Sequence, residues 1–223
     1  MHTVIPGLLD AAGIAALVEI AGKGEFVDGR LTAQSQAEGV KNNEQLKPSQ
    51  DTTPAISKIV GDALRNSEAF KNFALPQRFN PPMLSRYTTG MYYDRHLDSP
   101  VMGIAPRIRT DMSMTLFLSP PESYEGGELI IELDGGDKGF KLPAGHAVIY
   151  DTSAFHRVAK VKSGERLAIV TWIQSFINDP MKRQIMRDVN ESLRQVNEVA
   201  ADSEVADLLQ AAASNLFRMW AEV

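Results

Sequence analysis

The residues that could do chemistry gather in RYTTGMYYDRHLDSP, residues 86–100, where three tyrosines, one histidine and two aspartates fall within fifteen positions. If this segment is a strand, its side chains alternate faces, so His96 and Asp98 project to the same side. An imidazole and a carboxylate set side by side suit a divalent transition metal. The same pair also occurs as ordinary surface polarity, so a third ligand must come from elsewhere in the chain. His146 and His156 are the candidates. His146, in LPAGHAVIY, follows a glycine turn and reads as a strand-edge residue facing solvent. His156 is followed ten positions later by Arg166, across KVKSGERL. That segment reads as a hairpin with Lys162, Ser163 and Gly164 as a three-residue loop, Gly164 taking the left-handed position. In this register His156 faces Val170, and Arg166, Ala168 and Val170 share one face. His156 and Arg166 then look into a single slot across the small Ala168. A metal at one end and a guanidinium at the other suit a short dianion, whose far carboxylate an arginine can grip at two points. A slip of one residue would turn Arg166 away.

Composition narrows the chemistry. The chain has 223 residues, 43% hydrophobic and 23% charged, ordinary for a globular protein. It has no cysteine, which excludes a thiolate metal site, a disulfide framework and a cysteine nucleophile. A transition metal must therefore be held by His, Asp or Glu. The net charge of -5 argues against a general nucleic-acid binder, and no nucleic-acid partner is expected. The first segment carries Asp10 and Glu19 and no early Lys or Arg, unlike a secretory signal. No apolar run approaches the ~20 residues of a membrane span. The expectation is a cytoplasmic protein with no membrane partner.

Three kinds of element must position these residues. Asp10 caps a helix over AAGIAALVEIAG, with Gly22 or Gly24 as its stop. Residues 25–53 are polar and lack a period, so they read as an irregular stretch with one strand. Thr53-Pro54 opens a second helix whose apolar face is Ile56, Ile59, Val60, Ala63 and Leu64. Ser67 caps a short successor ending near Phe73. From residue 79, short runs bounded by turn residues indicate a barrel or a double-sheet sandwich. Among them DMSMTLFLS alternates Met112, Met114, Leu116 and Leu118 against Ser113, Thr115 and Phe117, which reads as a half-buried strand. Near residue 178 helical patterning returns. Asp179 caps a stripe of Met181, Ile185, Val189, Leu193 and Val196. A second stripe holds Val205, Leu208, Leu209, Ala212, Leu216 and Trp220. The expected division is 1–177 and a two-helix extension, 178–223. The stripes pack on the β-core or make a homo-oligomer, since two such helices cannot bury themselves alone.

His96, Asp98 and His156 resemble the 2-His-1-carboxylate triad of the iron(II)- and 2-oxoglutarate-dependent dioxygenases. Arg166 is similar to the basic residue these enzymes carry after the second histidine. RYTTGMYYDRHLD, YEGGELII and AGHAVIYDTSAFHRVAKVKSGERLAIVTWI resemble the prolyl 4-hydroxylase branch. VIPGLLD, KNNEQL and the helical tail are more specifically similar to the bacterial PKHD-type hydroxylases, some of which are linked to iron uptake. The resemblance implies a mainly-β protein: a double-stranded β-helix (jelly-roll) core with N-terminal helices and the C-terminal extension. It implies Fe(2+) held by His96, Asp98 and His156, and 2-oxoglutarate anchored by Arg166, with L-ascorbate (vitamin C) a further candidate cofactor. Tyr87 matches a tyrosine that lines the cosubstrate pocket, although a packed strand aromatic fits it equally. Trp172 either walls the pocket or fills the core. The implied enzyme is an oxidoreductase that couples decarboxylation of 2-oxoglutarate to hydroxylation of a small-molecule or peptide substrate. No separate acid–base residue is demanded, and none is assigned. Near Leu116, where animal prolyl hydroxylases have a tyrosine that helps hold the far carboxylate, this chain offers Thr115, Leu116 and Phe117, so the resemblance does not carry that second contact over. Arg107 and Arg109, in SPVMGIAPRIRT, are candidates for selecting substrate. The alternative function is a cupin-like metal-binding module without turnover, in which Arg166 has no role. A further alternative is an interaction protein whose working surface is the tail.

Overall fold

The computed structural model describes residues 1–32, 40–103 and 107–223. Along the chain run β1 (His2–Ile5), α1 (Ala11–Lys23), β2 (Phe26–Asp28), β3 (Lys41–Asn42), β4 (Glu44–Leu46), α2 (Thr52–Asn66) and α3 (Glu68–Ala74). Next come β5 (Pro76–Phe79), β6 (Met83–Tyr87), β7 (Tyr92–His96), a small hairpin of β8 (Val101–Met102) and β9 (Ile108–Arg109), and β10 (Met112–Phe117). The rest are β11 (Tyr124–Glu125), β12 (Leu129–Leu133), β13 (Gly136–Phe140), β14 (Ala147–Asp151), β15 (His156–Val158), β16 (Ser163–Gly164), β17 (Arg166–Ser175), α4 (Pro180–Ala200) and α5 (Glu204–Trp220).

The strands form two main antiparallel sheets. The larger has the order β1-β14-β10-β17-β6-β4-β2, with β5 also paired to β17, and the smaller β13-β12-β15-β7-β3. Between the sheets pack Tyr87, Phe117, Val148 and Tyr150 from the larger and Leu129, Ile131, Phe140 and Val158 from the smaller. The helices cover the outer face of the larger sheet. Ile56, Val60 and Leu64 of α2 are all but fully buried there against Leu84, Met114 and Ile169, each contributing about 1.5–3 kcal/mol. This is the expected jelly-roll with flanking helices.

The helix starts are where the capping residues place them. The Asp10 carboxylate accepts from Gly13 N, Ser67 Oγ from Phe70 N, and Asp179 from both Met181 N and Lys182 N. Three expectations need correction. The polar stretch 25–53 holds three short strands, not one, within its described part; residues 33–39 lie outside the described residues. β10 is buried along its whole length, not half-buried. Met112, Met114 and Leu116 point to the helices, while Ser113, Thr115 and Phe117 point between the sheets. In a strand covered on both sides, alternation records the chemistry of each face, not its exposure.

The third correction concerns KVKSGERL. β15 and β17 do not pair: β15 lies in the smaller sheet between β12 and β7, and β17 in the larger between β10 and β6. His156 stands opposite His96 and Ile131, not Val170. The link between β15 and β17 crosses from one sheet to the other. Gly164 does hold a positive φ of 79°, but within a two-residue pairing of β16 with β11.

The two C-terminal helices pack on each other and on the core. Arg183 is buried, donating to Ile177 O and Asn178 O and, at 2.5 Å, to Asp151 on β14. The Arg187 guanidinium covers the Phe73 ring of α3. The chain end returns to the sheet, where Glu222 N donates to Phe176 O. The buried positions are Met186, Ala206 and Ala213, while Met181, Ile185, Val205 and Leu208 of the expected stripes are exposed. No helix among the described residues is long and apolar enough to cross a membrane.

Candidate active site

A cavity of about 530 Å³ opens between the sheets. His96 ends β7 and His156 begins β15, cross-strand neighbours in the smaller sheet, and both rings enter the cavity. Asp98 lies just past the end of β7, so the loop and not the strand brings its carboxylate to His96. The Nε2 atoms of His96 and His156 lie 3.9 and 3.6 Å from the two Asp98 oxygens, and the three donor atoms lie within 4.8 Å of one another. Each histidine Nδ1 faces a backbone carbonyl, Asp94 O at 2.7 Å and Ala154 O at 3.1 Å. A carbonyl only accepts, so each Nδ1 carries the proton and Nε2 offers its lone pair inward. Burial first, and the neighbouring His156 second, lower the His96 pKa to about 4, so its ring is neutral at pH 7. Two imidazole Nε2 atoms and a carboxylate suit iron(II).

Asp98 has a partner that the spacing of residues does not reveal. Ser113 Oγ, fully buried on β10, donates to Asp98 Oδ2 at 2.5 Å. The Tyr150 hydroxyl sits beside Ser113 and Thr115, and burial raises its pKa well above the usual phenol value. Tyr93 stacks on His96 at 3.6 Å between ring centroids.

Arg166 enters the same cavity from the larger sheet, opposite Tyr87 in the β17–β6 register. It is 1% exposed, and its Nε is buried without a hydrogen-bond partner among the described residues. The rings of Tyr87 and Phe117 flank its guanidinium at 5.1 and 5.3 Å. Ala168 and Val170 follow on the same face. The slot between Arg166 and the histidines therefore exists, but it runs between two facing sheets and not along one hairpin. Tyr87 lines it, and burial raises the Tyr87 pKa, partly offset by Arg166. Trp172 lines the cavity as well, its Nε1 buried and without a partner among the described residues.

Leu116 points away into the helix-side core. Near Arg166 stands instead the Tyr124 hydroxyl, buried and without a hydrogen-bond partner among the described residues. Gly127, at φ 69°, lets the two approach, since a Cβ there would crowd the Tyr124 ring at 3.0 Å and Arg166 Cδ at 3.2 Å. His146 stays outside the cluster. It is half-buried, not solvent-facing, with its Nδ1 unpartnered among the described residues. Arg109 pairs with Asp111 and Glu222, tying its hairpin to the chain end. Arg107 is exposed.

The fold and this donor set define a 2-oxoglutarate- and iron(II)-dependent oxygenase. The sequence model of the 2OG-Fe(II) oxygenase superfamily matches residues 82–174, which include His96, Asp98, His156 and Arg166. Among solved structures, a Pseudomonas putida prolyl-4-hydroxylase superposes with a TM-score of 0.57 at 20% identity, covering 78% of this chain and 92% of that one. A Trichoplax adhaerens prolyl hydroxylase, in complex with a hypoxia inducible factor peptide fragment, gives 0.57 at 14% identity, covering 83% and 86%. These likenesses concern the fold. A PKHD-type hydroxylase of Thioalkalivibrio sulfidiphilus is 44% identical over the whole of both chains. One from Synechococcus elongatus is 40% identical, again over both entire chains. The chain belongs to the PKHD-type hydroxylase family.

Proposed function

We propose that His96, Asp98 and His156 hold one Fe(2+), and that Arg166 anchors the distal carboxylate of 2-oxoglutarate in the slot beside it. The observation that carries this reading is the buried guanidinium with an unpaired Nε facing a three-donor cluster across one cavity. An unpaired buried charge is costly, and a carboxylate in the slot would complete it. A cupin-like module gives Arg166 no such reason to be there. The Tyr124 hydroxyl is proposed as the second contact to that carboxylate, in place of the tyrosine missing at Leu116.

The iron, when bound, supplies the oxygen activation that couples 2-oxoglutarate decarboxylation to hydroxylation of the substrate. The chain's own residues bind, orient and exclude. His96 and His156 present Nε2 to the metal because backbone carbonyls hold their Nδ1 atoms. Ser113 orients the Asp98 carboxylate. Arg166, Tyr124 and Tyr87 fix the far end of the cosubstrate, while Phe117, Leu129, Val158 and Val170 keep the slot dry. A dry slot strengthens every charge interaction within it. L-ascorbate enters this reading as the reductant that keeps the iron ferrous. The cytoplasm is the proposed compartment, since it supplies both reduced iron and 2-oxoglutarate. Residues 1–177 are proposed as the catalytic unit, with 178–223 as a helical buttress. The substrate is a small molecule or a peptide.

The test is calorimetric titration of 2-oxoglutarate into the manganese-loaded protein, with succinate release measured on the iron form. Removing one partner of such a buried charge pair costs ~2–5 kcal/mol. Arg166→Ala is expected to weaken 2-oxoglutarate binding by roughly 30-fold or more while metal affinity holds. Arg166→Lys recovers only part, having the charge without the planar fork. Parent-like 2-oxoglutarate affinity in Arg166→Ala would return the chain to the cupin-like alternative.

A further inference from the structure

Asn43 is the point at which the chain passes from one sheet to the other. β3 before it pairs with β7 in the smaller sheet, and β4 after it pairs with β6 in the larger. Its backbone is fixed from both sides, and Gly29 N donates to Asn43 O at 2.8 Å. The β4–β6 register sets Glu44 against Arg86, so one step further along this antiparallel pair Asn43 falls beside Tyr87. On the other flank of β6, Tyr87 stands opposite Arg166 of β17. Asn43, Tyr87 and Arg166 thus form a row across the larger sheet, and all three line the cavity.

Buried polar groups in folded proteins are nearly always paired. Asn43 is 3% exposed, and its Nδ2 and Oδ1 are both buried without a hydrogen-bond partner among the described residues. The amide is also confined. A Cβ at Gly29 would fall 1.9 Å from Oδ1, so the side chain occupies space that only a glycine leaves open. With Oδ1 set against Gly29, Nδ2 is the atom left to turn toward Tyr87. The amide already acts on the Tyr87 hydroxyl: burial raises the Tyr87 pKa, and Arg166 and then Asn43 offset this. The contact stops short of hydrogen-bond geometry, and no other described group competes for the amide.

A phenol hydroxyl has one proton and can also accept. Left to itself, the Tyr87 proton can point to the slot or to the amide. A carboxylate only accepts, so Tyr87 helps to hold one only with its proton toward the slot. An N–H behind the phenol meets the oxygen lone pair and leaves the proton the slot as its direction. Arg166 stands on the opposite flank, so this guide has to come from the Asn43 side.

We propose that Asn43 is a positioning residue for the cosubstrate site: its Nδ2 donates to the Tyr87 oxygen and aims the Tyr87 proton at the distal carboxylate of 2-oxoglutarate. Tyr87 touches the cosubstrate, and Asn43 acts only through Tyr87. This rests on the reading of the site as an iron and 2-oxoglutarate centre.

The experiment is a double-mutant cycle on the full chain loaded with manganese, read by calorimetry. The forms are the parent, Asn43→Ala, Tyr87→Phe and the double variant. The probes are 2-oxoglutarate and oxalate, which chelates a metal but has no distal carboxylate. Each single substitution is expected to weaken 2-oxoglutarate binding about fivefold, the size of one hydrogen bond. The double variant should bind like Tyr87→Phe alone, because the amide has no hydroxyl left to direct. Oxalate affinity should stay within about twofold in every form. Melting curves check the fold. If Asn43→Ala melts before binding can be read, Asn43→Leu takes its place with the same expected result, being similar in volume with neither donor nor acceptor. The proposal is overturned if Asn43→Ala or Tyr87→Phe binds 2-oxoglutarate like the parent, or if the two losses add in the double variant. It is overturned as well if oxalate binding falls in step with 2-oxoglutarate, which would make the effect of Asn43 a general one. Failure of the parent to bind 2-oxoglutarate, or parent-like binding in Arg166→Ala, would instead remove the underlying reading.

Discussion

Ser113 offers a sharp test of how the centre is held. Asp98 stands beyond the end of β7, so no ladder of backbone hydrogen bonds fixes its carboxylate. Ser113 does, from a central strand pinned by Tyr150 on one side and Trp172 on the other. Its hydroxyl donates at 2.5 Å to Oδ2, leaving Oδ1 turned toward His96. A hydrogen bond to a charged group is worth ~1.5–3 kcal/mol. At about 1.4 kcal/mol per factor of ten this is roughly 10- to 100-fold in affinity, the loss seen when such supporting partners of metal ligands are removed. Ser113→Ala is therefore expected to weaken metal binding by that factor. Anaerobic competition between the protein and a chromogenic chelator for iron(II) or cobalt(II) measures it. His146→Ala is the control, because His146 lies outside the cluster and should leave affinity unchanged. Thermal melts of the metal-free forms report any general loss of fold. Parent-like metal affinity in Ser113→Ala, with a normal melt, would refute the role assigned to this hydrogen bond. Weakened affinity in His146→Ala would refute the ligand set.

Two further outcomes follow from buried charges. Burial lowers the His96 pKa from 6.5 to about 4, so the folded metal-free protein binds that proton more weakly than the unfolded chain. The corresponding stability is full above pH 6.5 and is lost as pH falls through about 4. The melting temperature of the chelator-treated protein should fall across that window, and fall less in His96→Gln; identical slopes would exclude His96 as the source. Arg183 joins α4 to Asp151 at 2.5 Å with 3% of its side chain exposed. Arg183→Met should cost on the order of 3 kcal/mol by leaving Asp151 short of a partner. Denaturant titration reads the loss and hydrogen exchange localises it to α4; unchanged protection there would show that the tail does not depend on this ion pair.

What was legible in the sequence was local chemistry, and what was not was the relation between sheets. The cap residues Asp10, Ser67 and Asp179 mark their helices because a cap acts within three residues of itself. His96 and Asp98 are legible for the same reason, although the loop after β7, and not the strand itself, places Asp98. His156 and Arg166 do share a cavity, but no hairpin joins them, because β15 and β17 lie in different sheets. A turn signal such as KSGE reports that the chain reverses or bends; it does not report whether the next strand pairs with the last or crosses to a facing sheet. Arg166 reaches the slot because β17 is central, and its alternate residues have only the inter-sheet space to enter. The same logic explains Ser113 and Thr115. Their alternation with Met112, Met114 and Leu116 looked like a solvent face, yet in a two-sheet fold the polar face of a central strand is the wall of the site. KNNEQL is the strongest case. With neither hydrophobic periodicity nor a metal-ligand pattern it reads as irregular, and its meaning appears only when β7 and β6 draw Lys41 and Gln45 inward. A strand too short and too polar to show a period is placed by its neighbours, so Lys41 and Gln45 join the cavity wall only once β3 pairs with β7 and β4 with β6.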